Sequence, residues 1–388
     1  MANPLLDVYS PLPLKIAYGK ENYLYTNDCE KYLDTYSGIA VNILGHQHPA
    51  LNDALTSQAS QFLHLSNSFE TDNHKRLAQT LIEHSNASKV FFSNSGTEAN
   101  EAALKLVRKW GNAISANKTD IISVTGSFHG RSSAGMALSG SLASRANFKP
   151  TLEGISHVAF NDSTALKSMV NENTCAIFLE LVYGSGGLGM LSDAFLNTVQ
   201  TLAKAHNVLI VVDEIQTGLY RTGPFLAYQD TTLKPDIITL AKGIGGGLPL
   251  GATLIHERIQ AVLRQGDHGS TFGGNPLAVA LGNALIDVID DPLFQQNVKT
   301  LMTYLDEALK DLQSRYPNII HALKGKGFMR GIDVAQHAHY IKETALKNHV
   351  LINIVQGTTI RLLPALTFSK ANIDELITVL DKILNTIE

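Results

Sequence analysis

An α/β fold, with a mostly parallel central sheet in a large domain and a smaller α+β domain beside it, is what this sequence predicts. Three observations predict it. Short apolar runs rich in β-formers recur over residues 89–93, 121–125, 176–181, 208–212 and 237–240, each bounded by Gly, Asn or Asp. Helical patterns lie before or between them, over 73–84, 97–110 and 193–206. Strands that alternate with helices and stay apolar along their length belong to a sheet covered on both faces. Beyond Pro276 the pattern changes. A helix runs to Ile289, Asp290-Asp291-Pro292 breaks it, and helices with short strands over 331–334 and 360–363 follow. The expected division is an N-terminal segment 1–45 packing with the small domain, a large ligand-binding domain 46–280, and a small C-terminal domain 281–388.

Composition narrows the function. A chain of 388 residues, 44% of them hydrophobic, is long enough for two or three domains and excludes a disordered or fibrous class. The net charge of −4, from 31 Lys+Arg against 35 Asp+Glu, gives no electrostatic case for nucleic acid or an anionic membrane. Charged residues make up 17%, below the usual level of about 25%, which points to extra buried surface such as a subunit interface. Cys29 and Cys175 stand alone, so neither a disulfide framework nor a CxxC metal site is available, as suits a reducing compartment. The start, Met1-Ala2-Asn3-Pro4, lacks a basic stretch followed by an apolar one, and no run approaches about 18 apolar residues. A soluble cytoplasmic protein is expected.

Ligands of parallel sheets sit at the carboxyl ends of the strands, so the residues after each run matter most. Run 89–93 leads into Asn94-Ser95-Gly96-Thr97 and a strong helix. Ser95 or Thr97 can cap that helix, and Gly96 lets backbone N–H groups approach an anion such as a phosphate. Run 121–125 leads into Phe128-His129-Gly130-Arg131. There Phe128 can stack on a flat ring and Arg131 can grip a carboxylate, or the two can serve as loop packing and a surface charge. Run 208–212 ends at Asp213-Glu214-Ile215-Gln216. A carboxylate directly after a buried strand needs a cation or several donors, which makes Asp213 a site candidate. Run 237–240 ends at Ala241-Lys242 and enters Gly243-Ile244-Gly245-Gly246-Gly247. A desolvated amine there can attack a carbonyl and form a Schiff base. Finally, Ser270 and Thr271 lie among glycines before the helix that starts at Pro276, where hydroxyls can meet phosphate or carboxylate oxygens.

A rival pattern is Gly184-Ser185-Gly186-Gly187-Leu188-Gly189, which fits G-x-G-x-x-G, follows an apolar run and precedes Asp213. It supports a nicotinamide-dependent dehydrogenase. Against it, Met190-Leu191-Ser192 separate the last glycine from the helix, and Lys242 and the hydroxyl loops are left without a role. Pyridoxal phosphate uses all of these sites: a lysine for the imine, a carboxylate facing the pyridine nitrogen, a ring stacker and a phosphate cradle. A pyridoxal-phosphate-fold protein that binds without catalysing is the remaining alternative of another class.

At these residues the chain resembles the class III pyridoxal-phosphate-dependent aminotransferases, which have the fold-type-I architecture. The resemblance runs from Tyr32-Leu33-Asp34, through Ser37–Val41 and Leu44-Gly45-His46-Gln47-His48-Pro49, to Ile360-Arg361-Leu362-Leu363-Pro364. It is most specific at 93–101, 128–131, 213–218, 240–251 and 269–276. His46 and His48 then belong to a turn before a helix rather than to a metal site, and no metal is expected. The resemblance implies these roles. Lys242 forms the Schiff base and shuttles the proton, while Asp213 keeps the ring nitrogen protonated. Gln216 bonds the ring oxygen, and Phe128 and Ile215 cover the two ring faces. Ser95, Gly96 and Thr97 hold the phosphate, and Thr271 reaches the cofactor of a partner subunit in a homodimer. Arg131, with Ser270, takes the substrate carboxylate; Glu180 and Arg361 line the substrate site, and Arg361 takes the α-carboxylate of glutamate or 2-oxoglutarate. The implied reaction moves the δ-amino group of N-acetylornithine to 2-oxoglutarate, as in arginine biosynthesis; ornithine, 4-aminobutyrate and succinyl-diaminopimelate are the alternative donors. One segment departs. Where the family has E-P-[IV]-Q-G-E-[GA]-G, this chain reads Glu180-Leu181-Val182-Tyr183-Gly184-Ser185-Gly186-Gly187. Ser185 replaces the glutamate that pairs with Arg361, and a bare Arg361 is expected to favour dicarboxylates in both half-reactions.

Overall fold

The N-terminal segment forms an antiparallel meander of β1 (Ile16–Lys20), β2 (Tyr23–Thr26) and β3 (Lys31–Asp34), and a strand from far along the chain, Val350–Leu351, adds to β3 in parallel. The computed structural model describes residues 4–141 and 145–387; Met1–Asn3, part of the N-terminal reading above, lie outside the described residues. The central sheet holds β4 (Lys89–Ser93), β5 (Asp120–Val124), β6 (Ile155–Val158), β7 (Thr174–Leu179), β8 (Leu209–Asp213), β9 (Ile237–Leu240) and β10 (Gly251–Ile255), in the order β4-β10-β9-β8-β7-β5-β6. β6, β5, β7, β8 and β9 run parallel, and β10 is antiparallel to both of its neighbours. β7, β8, β9 and β10 are buried from end to end, which is why three of them read as unbroken apolar runs.

The helices between the strands are capped as their sequences dictate. Ser95 Oγ accepts from Glu98 N–H at the head of Gly96–Ile114, so Ser95 rather than Thr97 is the cap. Ser192 and Thr71 cap Asp193–Ala205 and Asp72–Glu83 in the same way. The helix Pro276–Ile289 spans the expected boundary near residue 280. Asp291 then caps the next helix, Pro292–Arg315, with Pro292 in its first turn. The C-terminal part forms β11 (Ala322–Lys326), β12 (Met329–Asp333), β13 (Val350–Leu351, the strand that joins β3), β14 (Asn353–Val355) and β15 (Thr359–Leu362). β11-β12-β15-β14 is an antiparallel sheet packed by the helices Ala338–Lys347 and Pro292–Arg315, with Lys370–Leu384 packed against those two helices. One apolar core runs through all parts, from Leu33 through Ile210 to Leu309 and Ile360. Among the described residues no helix is long and apolar enough to cross a membrane.

Candidate active site

A cavity of about 380 Å³ opens where the carboxyl ends of β4, β7, β8 and β9 meet the loops that follow them. Ser95, Gly96, Thr97, Phe128, Glu180, Asp213, Ile215, Gln216 and Lys242 all line it, although they are spread over nearly 150 positions of the chain. Sheet order does this: β8 and β9 are neighbours, so the residue that ends β8 and the lysine just past β9 reach the same opening.

Asp213 is 4% exposed and would be costly as a free anion, yet three donors hold it. Asn100 Nδ2 donates to Oδ2 at 2.8 Å, His129 Nδ1 donates to the same oxygen at 2.9 Å, and the Ile215 N–H donates to Oδ1 at 3.0 Å. Asn100 is itself fixed, because Thr239 Oγ1 donates to its Oδ1 at 2.8 Å and its Nδ2 also reaches the His129 carbonyl oxygen. A carboxylate has about four lone-pair sites, so one remains for a ligand donor. Lys242 follows the end of β9 with φ at 50°, a left-handed backbone that a side-chain-bearing residue adopts only under constraint. Burial pulls its ammonium down to about 8, with the charges of Asp213 and Glu180 opposing the shift.

The other walls are set by close approaches. A side chain on Gly96 would put its Cβ 2.6 Å from Ile215 Cδ1, so glycine there keeps Ile215 against the cavity. The Phe128 N–H donates to Glu180 Oε2 at 2.8 Å and the Gly184 N–H to Oε1 at 3.3 Å. Glu180 thus ties two loops together, and burial raises its carboxyl to about 7. Gln216 is buried, and its Oε1 has no partner within the protein.

Four predicted site residues lie off this wall. Arg131 is exposed at the rim, its guanidinium 5.2 Å from the centre of the Phe128 ring, and it makes no ion pair among the described residues. Ser270 Oγ accepts from Asn94 Nδ2 at 3.0 Å, which places it behind the Ser95–Thr97 turn. Thr271 is exposed and does not line the cavity of its own chain. Arg361, on β15, is 4% exposed and makes no ion pair among the described residues; neutral oxygens take its N–H groups. Asn353 Oδ1 accepts from its Nε at 3.0 Å and its Nη2 at 2.7 Å, and the Gly184 carbonyl accepts from Nη1 at 2.8 Å.

The glycine-rich rival does not have dinucleotide-loop geometry. Residues 181–191 fold back on themselves, with Tyr183 N–H donating to Gly189 O at 2.9 Å and Leu191 N–H to Leu181 O at 3.0 Å. Within the motif the Gly184 N–H donates to Glu180 Oε1 and the Leu188 N–H to the Tyr183 carbonyl oxygen, and the next helix is capped by Ser192 instead of opening from the last glycine. His46 bonds Asp34 at 3.0 Å and His48 heads the helix Pro49–Ala59, and no metal-holding cluster occurs among the described residues.

Sequence reasoning left three working residues without a role: Asn100, His129 and Asn353. Asn100 had a signal, a polar residue on the apolar face of its helix between buried Ala99 and Ala103. Asn353 had one in the turn around Gly357, which sets 353 directly opposite 361.

The class-III aminotransferase family model matches residues 7–384. The acetylornithine aminotransferase of Aquifex aeolicus is 40% identical over 381 residues, covering 98% of this chain and 99% of the relative. Among solved structures, N-acetylornithine aminotransferase from Stenotrophomonas maltophilia superposes with a TM-score of 0.85 at 30% identity, covering 97% of both chains. Ornithine aminotransferase from Toxoplasma gondii, with PLP at partial occupancy in its active site, superposes with a TM-score of 0.92 at 28% identity, covering 99% of this chain and 92% of the other.

Proposed function

The chain belongs to the class-III aminotransferases, enzymes that depend on pyridoxal phosphate, and on that premise we propose that it moves the δ-amino group of N-acetylornithine to 2-oxoglutarate. The observation that carries the reading is the meeting of one lowered-pKa amine, Lys242, and one fully braced carboxylate, Asp213, in a single cavity. The residues fit the coenzyme. Asp213 keeps a lone pair for the ring nitrogen, Gln216 Oε1 lacks a partner until a ring hydroxyl arrives, and the amides of Gly96 and Thr97 belong to a first helical turn whose N–H groups have no partner inside the helix. When bound, pyridoxal phosphate supplies an aldehyde that combines reversibly with amines and a ring that takes up the electrons left by a departing proton.

The chain's own residues divide the rest of the work. Lys242 Nζ would take the proton from the substrate carbon and return it to the carbon on the other side of the amino nitrogen, a role for which an amine near pKa 8 is matched. Asp213, positioned by its three donors, would accept the hydrogen bond of a protonated ring nitrogen. Phe128 and Ile215 would cover the two ring faces, and Ser95, Gly96 and Thr97 would hold the phosphate. Arg131, free of ion pairs at the rim, would grip the donor's carboxylate, and Arg361 the α-carboxylate of 2-oxoglutarate.

The same reading includes a homodimer in which Thr271 reaches the partner's cofactor. Thr271 is exposed and outside the lining of its own cavity, and Leu63, Phe69 and Phe272 nearby are each more than half exposed, as a subunit interface would require. The division into segment 1–45, large domain 46–280 and small domain 281–388 and a cytoplasmic location belong to it as well. β3 with β13 ties the N-terminal segment to the C-terminal part, in support of that grouping.

The experiment is a donor panel with 2-oxoglutarate as acceptor. N-acetylornithine should give the highest kcat/KM, ahead of ornithine, 4-aminobutyrate and succinyl-diaminopimelate. A clear preference for 4-aminobutyrate would overturn the donor. Ornithine is the second reading, favoured by the likeness to the Toxoplasma gondii enzyme.

A further inference from the structure

Resting on the transaminase reading above, we infer that Asn353 is the positioning residue that keeps Arg361 aimed and uncompensated, so that a substrate carboxylate meets a guanidinium with no internal anion to displace. The argument begins with donors. A guanidinium carries five N–H groups, one on Nε and two on each Nη. Asn353 Oδ1 takes the Nε group and one on Nη2, and the Gly184 carbonyl takes one on Nη1. One N–H therefore remains on each Nη atom for a carboxylate to accept.

Charge comes next. Arg361 is nearly fully buried and makes no ion pair among the described residues, since both of its partners are neutral oxygens. A buried cation without a fixed counter-ion is unfavourable until an anion reaches it. Here burial lowers the guanidinium to about 10, against the nearby charge of Glu180. The position is built, not incidental. Asn353 stands directly opposite Arg361 in the β14–β15 ladder, and Gln356 Nε2 in the connecting turn donates to the Ser185 carbonyl at 2.8 Å. The hairpin and the loop carrying Ser185 are thus fastened to each other around the guanidinium.

Place decides which carboxylate arrives. Gly184, whose carbonyl holds Arg361 Nη1, lines the same cavity as Lys242, so an anion on Arg361 lies beside the cavity that holds the lysine. A 2-oxo acid has its carboxylate on the carbon next to the reacting one. An ω-amino donor has its carboxylate at the far end of the chain and brings no anion to Arg361. Asn353 therefore governs the acceptor half-reaction and leaves the donor half-reaction nearly untouched.

Asn353→Asp changes the partner's charge at almost constant size. In the coenzyme-loaded enzyme, calorimetric titration with glutarate, a dicarboxylate that cannot react, should show Kd raised about tenfold or more. The KM for 2-oxoglutarate should rise in parallel, while kcat and the KM for the amino donor stay within about threefold. Asn353→Gln, which keeps a neutral amide, should retain glutarate affinity within about threefold. Should Asn353→Asp not fold, Ser185→Glu brings a carboxylate to the same guanidinium from the other side, and the same rise is expected. Unchanged glutarate affinity in a folded, acid-bearing variant overturns the inference, as does an equal loss for donor and acceptor, which marks a structural role. Glutarate binding needs no turnover, so it reads this inference even where the donor panel rejects N-acetylornithine.

Discussion

Lys242→Ala should lower turnover by at least about 10³-fold with every donor, because the cavity then lacks the group that carries a proton across the reacting atoms. Glu180 is another wall residue able to take a proton near neutrality, but both of its oxygens are engaged by backbone N–H groups of Phe128 and Gly184. It is not free to move with the proton. The variant should still bind pyridoxal phosphate by equilibrium dialysis, since Asp213, Gln216 and the Gly96–Thr97 turn remain. A small amine such as methylamine, entering the vacated volume, should restore part of the rate, and the restored rate should follow the concentration of neutral amine. Turnover within tenfold of the parent would show that another base does this work. The same lysine gives a pH prediction. Only the neutral amine combines with an aldehyde, and burial pulls Lys242 down to about 8, so the neutral share falls about tenfold for each pH unit below that. The rate at which coenzyme-free protein regains its visible absorbance should therefore climb up to about pH 8 and level off above it. A lysine at its ordinary value near 10.5 would still be gaining rate well beyond pH 9.

The backbone at Lys242 shows what the sequence could and could not reveal. Its place after an apolar run and before a glycine loop marked it as chemical, and so did the place of Asp213 after β8. Both signals are local, a charged residue where burial penalises charge. Among the strands legible in advance, β5, β7, β8 and β9 are those whose burial on both faces writes an apolar run into the chain, while β4, only half-buried, and the short β12 and β15 were legible as well. β6, with Ser156 and His157 between its apolar ends, and β10, rich in small residues, carry no such run. What stayed hidden depends on which residues the fold sets against each other. Asn100 matters because its helix packs behind β8 and β9, and Asn353 because a short hairpin sets it opposite Arg361. The glycine motif at 184–189 misled for the matching reason. Its spacing is that of a nucleotide loop, but its two ends pair in a fold-back, Tyr183 with Gly189 and Leu191 with Leu181, that local pattern does not record.

Asp213→Asn should lower kcat by roughly 10²–10³-fold, the scale seen when one charge-stabilising group is removed from a dry, preorganised site. The substitution conserves size, so the loss reads charge and donor direction alone. All three of the protein's contacts at this position are donors: Asn100 Nδ2, His129 Nδ1 and the Ile215 N–H. A carboxylate satisfies them together and still has a lone pair for a ring N–H. An amide has one oxygen, so whichever way it turns, its NH₂ meets another donor. Asn100 cannot turn to relieve this, because Thr239 Oγ1 fixes its amide from behind. The unfolding midpoint should fall as well, since at least one buried donor is left without an acceptor at about 1–3 kcal/mol. Single-turnover measurement with a saturating donor separates the two effects, because a folded, coenzyme-loaded variant still lacks the charge. Asp213→Glu keeps the charge but lengthens the arm, and should fall between the parent and the asparagine variant. An asparagine variant with the parent's single-turnover rate would remove Asp213 from the chemistry and leave it only as the brace for His129 and Asn100.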